Sequence, residues 1–379
     1  MYRRLFRIYF AVMKKKTICL FTAVEGHWSL AQAITQTLSD EFEVVTYMRK
    51  KDRLFTLYMP FYKSFPWAFI LPYKFAQLRF VAPVIAMLYK WNRLKETRKF
   101  CVAHQPVLCI STHFAYNGSL EQLAKENGTP FINVLSDPRS IHRMLVAKGA
   151  AMNLAFDEEA ATRARALVPS AHCQPIGWLV RQEYDQEYNQ KIVRKNLGLK
   201  IETLTILLSS GYEGTNTINK ILPALTENIA ASSPLQIIVA CGHNAQLLTR
   251  MRARAAALRA RHSSIQLFPI GFTHEMHLYI QAADLVVGKA GPNTLFETVA
   301  TETPFFAITH IAGQEDGNLA LIEEYGLGYV EENAFKATGV LSRIIAHPEE
   351  LTAFQPALRR LAEYNRQAKK HLLHIVKNS

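Results

Sequence analysis

Residues 284–330 read DLVVGKAGPNTLFETVATETPFFAITHIAGQEDGNLALIEEYGLGYV. Asp284–Gly288 is a short apolar run and predicts a buried strand. Gly291-Pro292 predicts a turn, and Asn293–Ala300 a helix with Thr294 and Glu297 at capping-box spacing. Pro304–Thr309 predicts a second strand. Gly313-Gln314-Glu315-Asp316-Gly317-Asn318 then packs polar side chains between glycines, ahead of another helix. Strands alternating with helices at this spacing imply a parallel sheet with crossover helices. Loops after strand C-termini line the ligand crevice of open α/β sheets. Both such loops here hold the amides, carboxylates and glycines needed to grip a polyhydroxylated ligand.

Lys289-Ala290-Gly291-Pro292-Asn293-Thr294, then Glu297, then Gly313-Gln314-Glu315 and Gly317-Asn318 strongly resemble, in order and spacing, the donor-binding half of the GT-B glycosyltransferases. The branch resembled holds the diacylglycerol galactosyl- and glucosyltransferases and the peptidoglycan lipid-intermediate GlcNAc transferase, with a family-28-like C-terminal domain. The resemblance covers nearly the whole chain and is sharp in the second half. It implies two Rossmann-like doubly wound domains facing across a cleft, and transfer of a hexose from a UDP-linked sugar with inversion.

Outward from this segment, the 379 residues favour two domains. The five cysteines are scattered, with no metal or redox spacing, which points to a reduced cytosolic compartment. The net charge of +13 is local: residues 1–16 carry +6 and residues 49–99 carry +10. The second of these regions interleaves aromatics such as Trp67 with Lys63, Lys74 and Arg79. Cations with interfacial rings suit an anionic membrane surface better than nucleic acid. Leu54–Tyr73 is broken by prolines at 60, 66 and 72, so no segment is expected to span a bilayer. The start, MYRRLFRIYFAVMKKK, lacks a small-residue cleavage site and reads as an interfacial anchor or a frayed terminus. The expected location is cytoplasmic, peripheral to the inner face of the membrane.

Strands are expected at Thr17–Thr22, Phe42–Tyr47, Val107–Ser111, Pro130–Leu135, Ala151–Phe156 and Cys173–Ile176. Helices are expected at Ser29–Leu38 (Ser29 and Gln32 forming a capping box), near Tyr73–Phe100, around Ser119–Asn127 and at Asp157–Leu167. The second series has strands at Leu204–Leu208, Gln236–Ala240, Gln266–Ile270, Asp284–Gly288, Pro304–Thr309 and Gly328–Val330. The domains are then 1–178, a polar linker 179–200, 201–360, and a terminal helical stretch 361–379 that in GT-B proteins often crosses back onto the first domain.

On the donor side, Glu297 is read as a carboxylate accepting both ribose hydroxyls, as the resemblance implies, or as a capping acid. The resemblance implies that Gln314 and Glu315 bind the transferred sugar; otherwise they lie on a solvated loop, and their flanking glycines allow close backbone approach. Asn318 would order the diphosphate or cap its helix. Ser210-Gly211 would offer backbone N–H groups to phosphate, although the family is usually richer in glycine there. Gly271-Phe272 would hold the base, with Phe272 stacking on uracil. Gly291, Asn293 and Thr294 complete the donor set. His274-Glu275-Met276-His277 has the wrong histidine spacing for zinc.

On the acceptor side, His27 follows Glu25-Gly26 after the first strand, where the family has a Gly-His, and could take the acceptor's proton. It could equally cap a helix. Asp137, in Ser136-Asp137-Pro138, is a second candidate base, with His142 nearby; otherwise it caps a turn. No Asp-x-Asp triplet occurs, so neither a resident metal nor a cofactor is expected. Partners are a UDP-sugar, a lipid acceptor and an anionic membrane. The alternatives are a UDP-sugar 2-epimerase of the same architecture, or a catalytically silent nucleotide-sugar or lipid-binding protein.

Overall fold

The computed structural model describes residues 15–24, 26–49, 74–75, 77–78, 80–209, 216–228, 234–261 and 264–379. The central strands of each sheet are apolar and buried, as strands covered by helices on both faces must be, while the edge strands are half-buried. In the first domain the strands are β1 (Thr17–Thr22), β2 (Glu43–Met48), β3 (Leu108–Ser111), β4 (Phe131–Val134), β5 (Met152–Ala155) and β6 (Cys173–Pro175), joined in parallel in the order β2-β1-β3-β4-β5-β6. Helices α1 (Gly26–Leu38), α2 (Val81–His104), α3 (Asn117–Asn127) and α4 (Glu158–Leu167) make the crossovers. Asp157 caps α4 by accepting from Ala160 N at 2.9 Å.

Helix α5 (Gln190–Asn196) leads into the second domain. Its strands are β7 (Leu204–Ser209), β8 (Leu235–Ala240), β9 (Ile265–Ile270), β10 (Leu285–Lys289), β11 (Phe305–Thr309) and β12 (Gly328–Val330). The order is β12-β11-β10-β7-β8-β9, again all parallel. The crossovers are α6 (Asn216–Pro223), α7 (Ala245–Ala260), α8 (Met276–Ala282), α9 (Pro292–Ala300), α10 (Asp316–Tyr325) and α11 (Ala334–Ala346). The long α12 (Gln355–Lys377) follows. All six expected strands of each domain are present, with ends shifted by a residue or so.

The strand order reverses between β1 and β3 in one sheet and between β7 and β10 in the other. The loops that leave β1 and β10 therefore open at switch points, where α/β sheets bind ligands.

Three expectations are corrected. Helix α9 is capped by Gly291 with Pro292 in the first turn, so Thr294 and Glu297 form no capping box. Helix α1 already runs from Gly26, which puts Ser29 inside it. Helix α2 begins at Val81 rather than near Tyr73 and continues to His104. Segment 179–200, expected as the polar linker, is packed. Leu179, Val180, Tyr184 and Val193 are buried, and the Arg194 guanidinium bonds Asp284 at 2.7 Å and the Ala282 carbonyl at 2.8 Å.

A single apolar cluster joins the domains. Trp178 stacks on Phe296 at 4.6 Å, and Phe156 meets the same ring at 4.7 Å. Helix α12 closes the joint. Asn365 Oδ1 accepts from Trp178 N at 2.9 Å, Tyr364 Oη donates to the Phe156 carbonyl, and Ala368, Leu372 and Val376 pack into the first domain's core with Ile18 and Ile34.

Candidate active site

The first wall of the cleft is built at the ends of β1, β3 and β4. Gly26 and His27 open α1. His27 Nδ1 lies 2.8 Å from the Thr112 carbonyl, which can only accept, so Nδ1 carries the proton and Nε2 keeps its lone pair. Its ring meets His113 edge-on at 4.6 Å. Burial pushes His27 down to about 4, against the raising effect of the Thr112 bond. Burial likewise lowers His142 to about 4 and His113 well below its ordinary range. All three rings are therefore neutral near pH 7.

Asp137 behaves oppositely. It is 6% exposed, and its carboxyl is pushed up to about 7, first by burial and then by the negative charge of Glu315, with Lys289 opposing. Those two partners belong to the second domain, so the first domain's acid responds to charges across the cleft.

The second wall is the loop pair after β10 and β11. Lys289 Nζ is ion-paired with Glu315 Oε1, whose other oxygen accepts from Ile311 N at 2.7 Å. Asp316 Oδ1 accepts from Gly313 N at 2.6 Å and meets His310 Nε2 at 3.0 Å. Gln314 makes no hydrogen bond to the described residues and remains available to a ligand. Asn318 is fully buried, and its Nδ2 donates to the Ala290 carbonyl at 2.8 Å. It braces the glycine turn rather than facing the cleft, which corrects the expectation of a diphosphate contact.

The two walls touch. A Cβ on Gly26 would come within 2.5 Å of Asn293 Nδ2, so the His27 loop lies directly against the Asn293 side chain of the α9 turn. Glu297, one turn further along α9, accepts from Ser29 Oγ at 3.3 Å and lies 3.6 Å from the Arg181 guanidinium. Burial raises its carboxyl, while Arg181 and the bonds from Ser29 and Tyr184 lower it. Phe272 is exposed after β9, with one face stacked on His243 at 4.0 Å. Gly271 packs toward Leu248, and Thr294 is half-buried on the first turn of α9. Lys74 is exposed. Ser210, Gly211, Lys63, Trp67 and Arg79 lie outside the described residues. Among the described residues no group of three or more His, Cys, Asp or Glu is placed to hold a metal.

Sequence reasoning missed Ser29, Arg181, Lys289 as an ion-pair partner, and His243. Ser29 lies 268 residues from Glu297, and no spacing rule reaches that far. Lys289 stands inside the quoted motif and could have been weighed as the charge answering Glu315.

Two six-stranded parallel sheets facing across a cleft of this kind define the GT-B class of glycosyltransferase architecture. Residues 205–341 match the family described as "Glycosyltransferase family 28 C-terminal domain". The chain is 25% identical to the "Probable monogalactosyldiacylglycerol synthase, chloroplastic" of Nicotiana tabacum over 355 residues, 87% of this chain and 64% of that protein. It is 28% identical to "Monogalactosyldiacylglycerol synthase 3, chloroplastic" of Arabidopsis thaliana over 244 residues, 62% of this chain and 51% of that one. The chain thus spans about half to two thirds of the relatives it matches. Among solved structures, Acinetobacter baumannii MurG superposes with a TM-score of 0.62 at 13% identity, covering 96% of this chain and all of that one. Anabaena Alr3699/HepE in complex with UDP-glucose gives 0.56 at 12% identity, covering 96% of this chain and 100% of that one.

Proposed function

We propose that this protein is an inverting glycosyltransferase that moves a hexose from a UDP-linked sugar to the hydroxyl of a membrane lipid such as diacylglycerol. One observation carries the reading. A buried carboxyl of the first domain, Asp137, feels the charges of Glu315 and Lys289 from the loops of the half that matches the family 28 model.

The donor lies along the loops after β9, β10 and β11. Glu297 accepts the ribose hydroxyls, exchanging its Ser29 and Arg181 partners for them. Gln314 and Glu315 hold the sugar, and Phe272 offers its free face to the base. The acceptor hydroxyl enters between Asp137 and His27. Asp137 takes the proton as oxygen attacks the anomeric carbon, and the bond to the diphosphate breaks on the opposite side. Loop amides and the cation of Lys289 stabilise the charge that develops on the leaving group. A proton acceptor with a pKa near the working pH is the efficient choice, which favours Asp137. Neutral His27 then orients the hydroxyl through Nε2. The reaction so drawn needs no resident cofactor.

The lipid acceptor reading draws on helix α2. Phe80, Val84, Met87, Leu88 and Trp91 recur at helical spacing and are all exposed, Phe80 at 85% and Trp91 at 78%. Lys95, Arg98 and Lys99 follow on the exposed surface of the next turns. An apolar end with a cationic collar fits insertion into an anionic leaflet, with Trp91 at the boundary. Among the described residues no helix is long and apolar enough to cross a membrane. We therefore keep the peripheral, inner-face location as part of the proposal. An epimerase acting on a soluble nucleotide sugar has no use for this face.

The test is transfer itself. Purified protein receives radiolabelled UDP-glucose, UDP-galactose or UDP-GlcNAc together with a total lipid extract, and the organic phase is chromatographed. Label in a lipid product from one donor is expected. Label in none, with UDP still bound, would favour the silent-binder alternative.

A further inference from the structure

Arg139 follows Asp137 by two residues. Its side chain is 2% exposed and donates to both Asp157 oxygens, at 2.9 and 2.8 Å. The same guanidinium reaches both oxygens of Glu324 at 3.4 Å. Asp157 belongs to the first domain and Glu324 to α10 of the second. Tyr325, also on α10, donates from its hydroxyl to Asp157 at 2.7 Å, and the Arg139 guanidinium lies over the Phe156 and Tyr325 rings. One residue further on, Ser140 Oγ accepts from Gly317 N at 3.2 Å. A Cβ on Gly317 would overlap the Arg139 Cβ and come 3.1 Å from Ser140 Oγ. The loop bearing Asp137 is thus fastened to the helix that begins directly after Gln314 and Glu315.

We propose that Arg139, Ser140 and Gly317 form a closure latch, a set of positioning residues that bring the Asp137 carboxylate onto the sugar-binding loop only when the two domains are shut. This rests on the reading of Asp137 as the base. Opening the cleft would part Asp137 from Glu315 and Lys289, the two charged groups that act on it, and would admit water. Its carboxyl would then return toward the ordinary carboxylate range. Base strength would follow closure, so an open enzyme holding only donor would be a poor catalyst.

The clean variant is Gly317→Ala. The residue lies on the first turn of α10, where alanine is the better helix former, so the change burdens only the contact between domains. Arg139→Met is a second variant, checked for folding by its thermal melt because it leaves Asp157 short of its cation. Small-angle scattering with saturating UDP is expected to show a larger radius of gyration for Gly317→Ala. Turnover should fall about tenfold or more, as misplacement of a reacting group does. The acid limb of the pH–rate profile should move below its wild-type position near pH 7. Wild-type scattering together with a wild-type pH profile in Gly317→Ala would overturn the latch. Full activity in Asp137→Asn would instead remove the base and leave scattering to judge the latch alone.

Discussion

Glu297 has one carboxylate and two sets of claimants. In the structure Ser29 and Arg181 hold it across the domain boundary; in the proposed complex the ribose does. Replacing it with glutamine removes a charge-assisted acceptor, an interaction of about 1.5–3 kcal/mol. Glu297→Gln should therefore raise the calorimetric Kd for UDP roughly tenfold or more, and an unchanged value would remove the ribose role.

Asp137 allows a sharper test because its pH behaviour differs from that of His27. A base must be unprotonated to act. With Asp137 near 7, turnover should rise with pH and level off above about 8. With His27 near 4, a base at that position would already be unprotonated at pH 5.5, giving a flat profile through neutrality. Asp137→Asn should lower kcat by about 10²–10⁴-fold and abolish the limb. A surviving limb near 7 in that variant would assign the proton elsewhere. At this scale the sequence displayed Glu297, Gln314 and Asp137 because each follows a glycine turn or ends a strand. It could not display their partners. Burial and cross-cleft charge, which push Asp137 upward, arise only when distant loops meet.

Among the elements, α2 carries the lipid-surface part of the proposal. Basic residues interleaved with aromatics were visible in the chain, but the helix proved to start at Val81, and its apolar exposure runs through Phe80–Trp91. Fully burying one large apolar side chain is worth about 1.5–3 kcal/mol. Leu88→Lys combined with Trp91→Lys should therefore cut partitioning onto phosphatidylglycerol vesicles by about tenfold or more, with UDP affinity unchanged. Equal cosedimentation of variant and wild type would discard this face as the membrane contact. The two mistaken capping boxes have a common cause. Each pairing of Ser or Thr with Glu or Gln three residues later fell inside a helix that glycine had already begun, at Gly26 in α1 and after Gly291 in α9. The cap signature is local and recurs inside helices, so spacing alone did not separate these internal pairs from a true start.

For the whole molecule, both sheets were legible because buried parallel strands form short apolar runs separated by helical periods. The return of the terminal helix onto the first domain was expected, and Ala368, Leu372 and Val376 pack there, but the rest of the joint was not legible. Trp178, Phe156 and Phe296 meet from three separate parts of the chain, and segment 179–200 is polar in sequence yet packed through Arg194 and Tyr184. In the proposed mechanism the base and the leaving diphosphate lie on opposite sides of the anomeric carbon, so a single in-line displacement would invert it. The most direct measurement is the proton NMR anomeric coupling of the glycolipid made from an α-linked UDP-hexose by the purified protein. The account predicts a β-linked product. An α-linked product, or free sugar with no glycolipid, would contradict it.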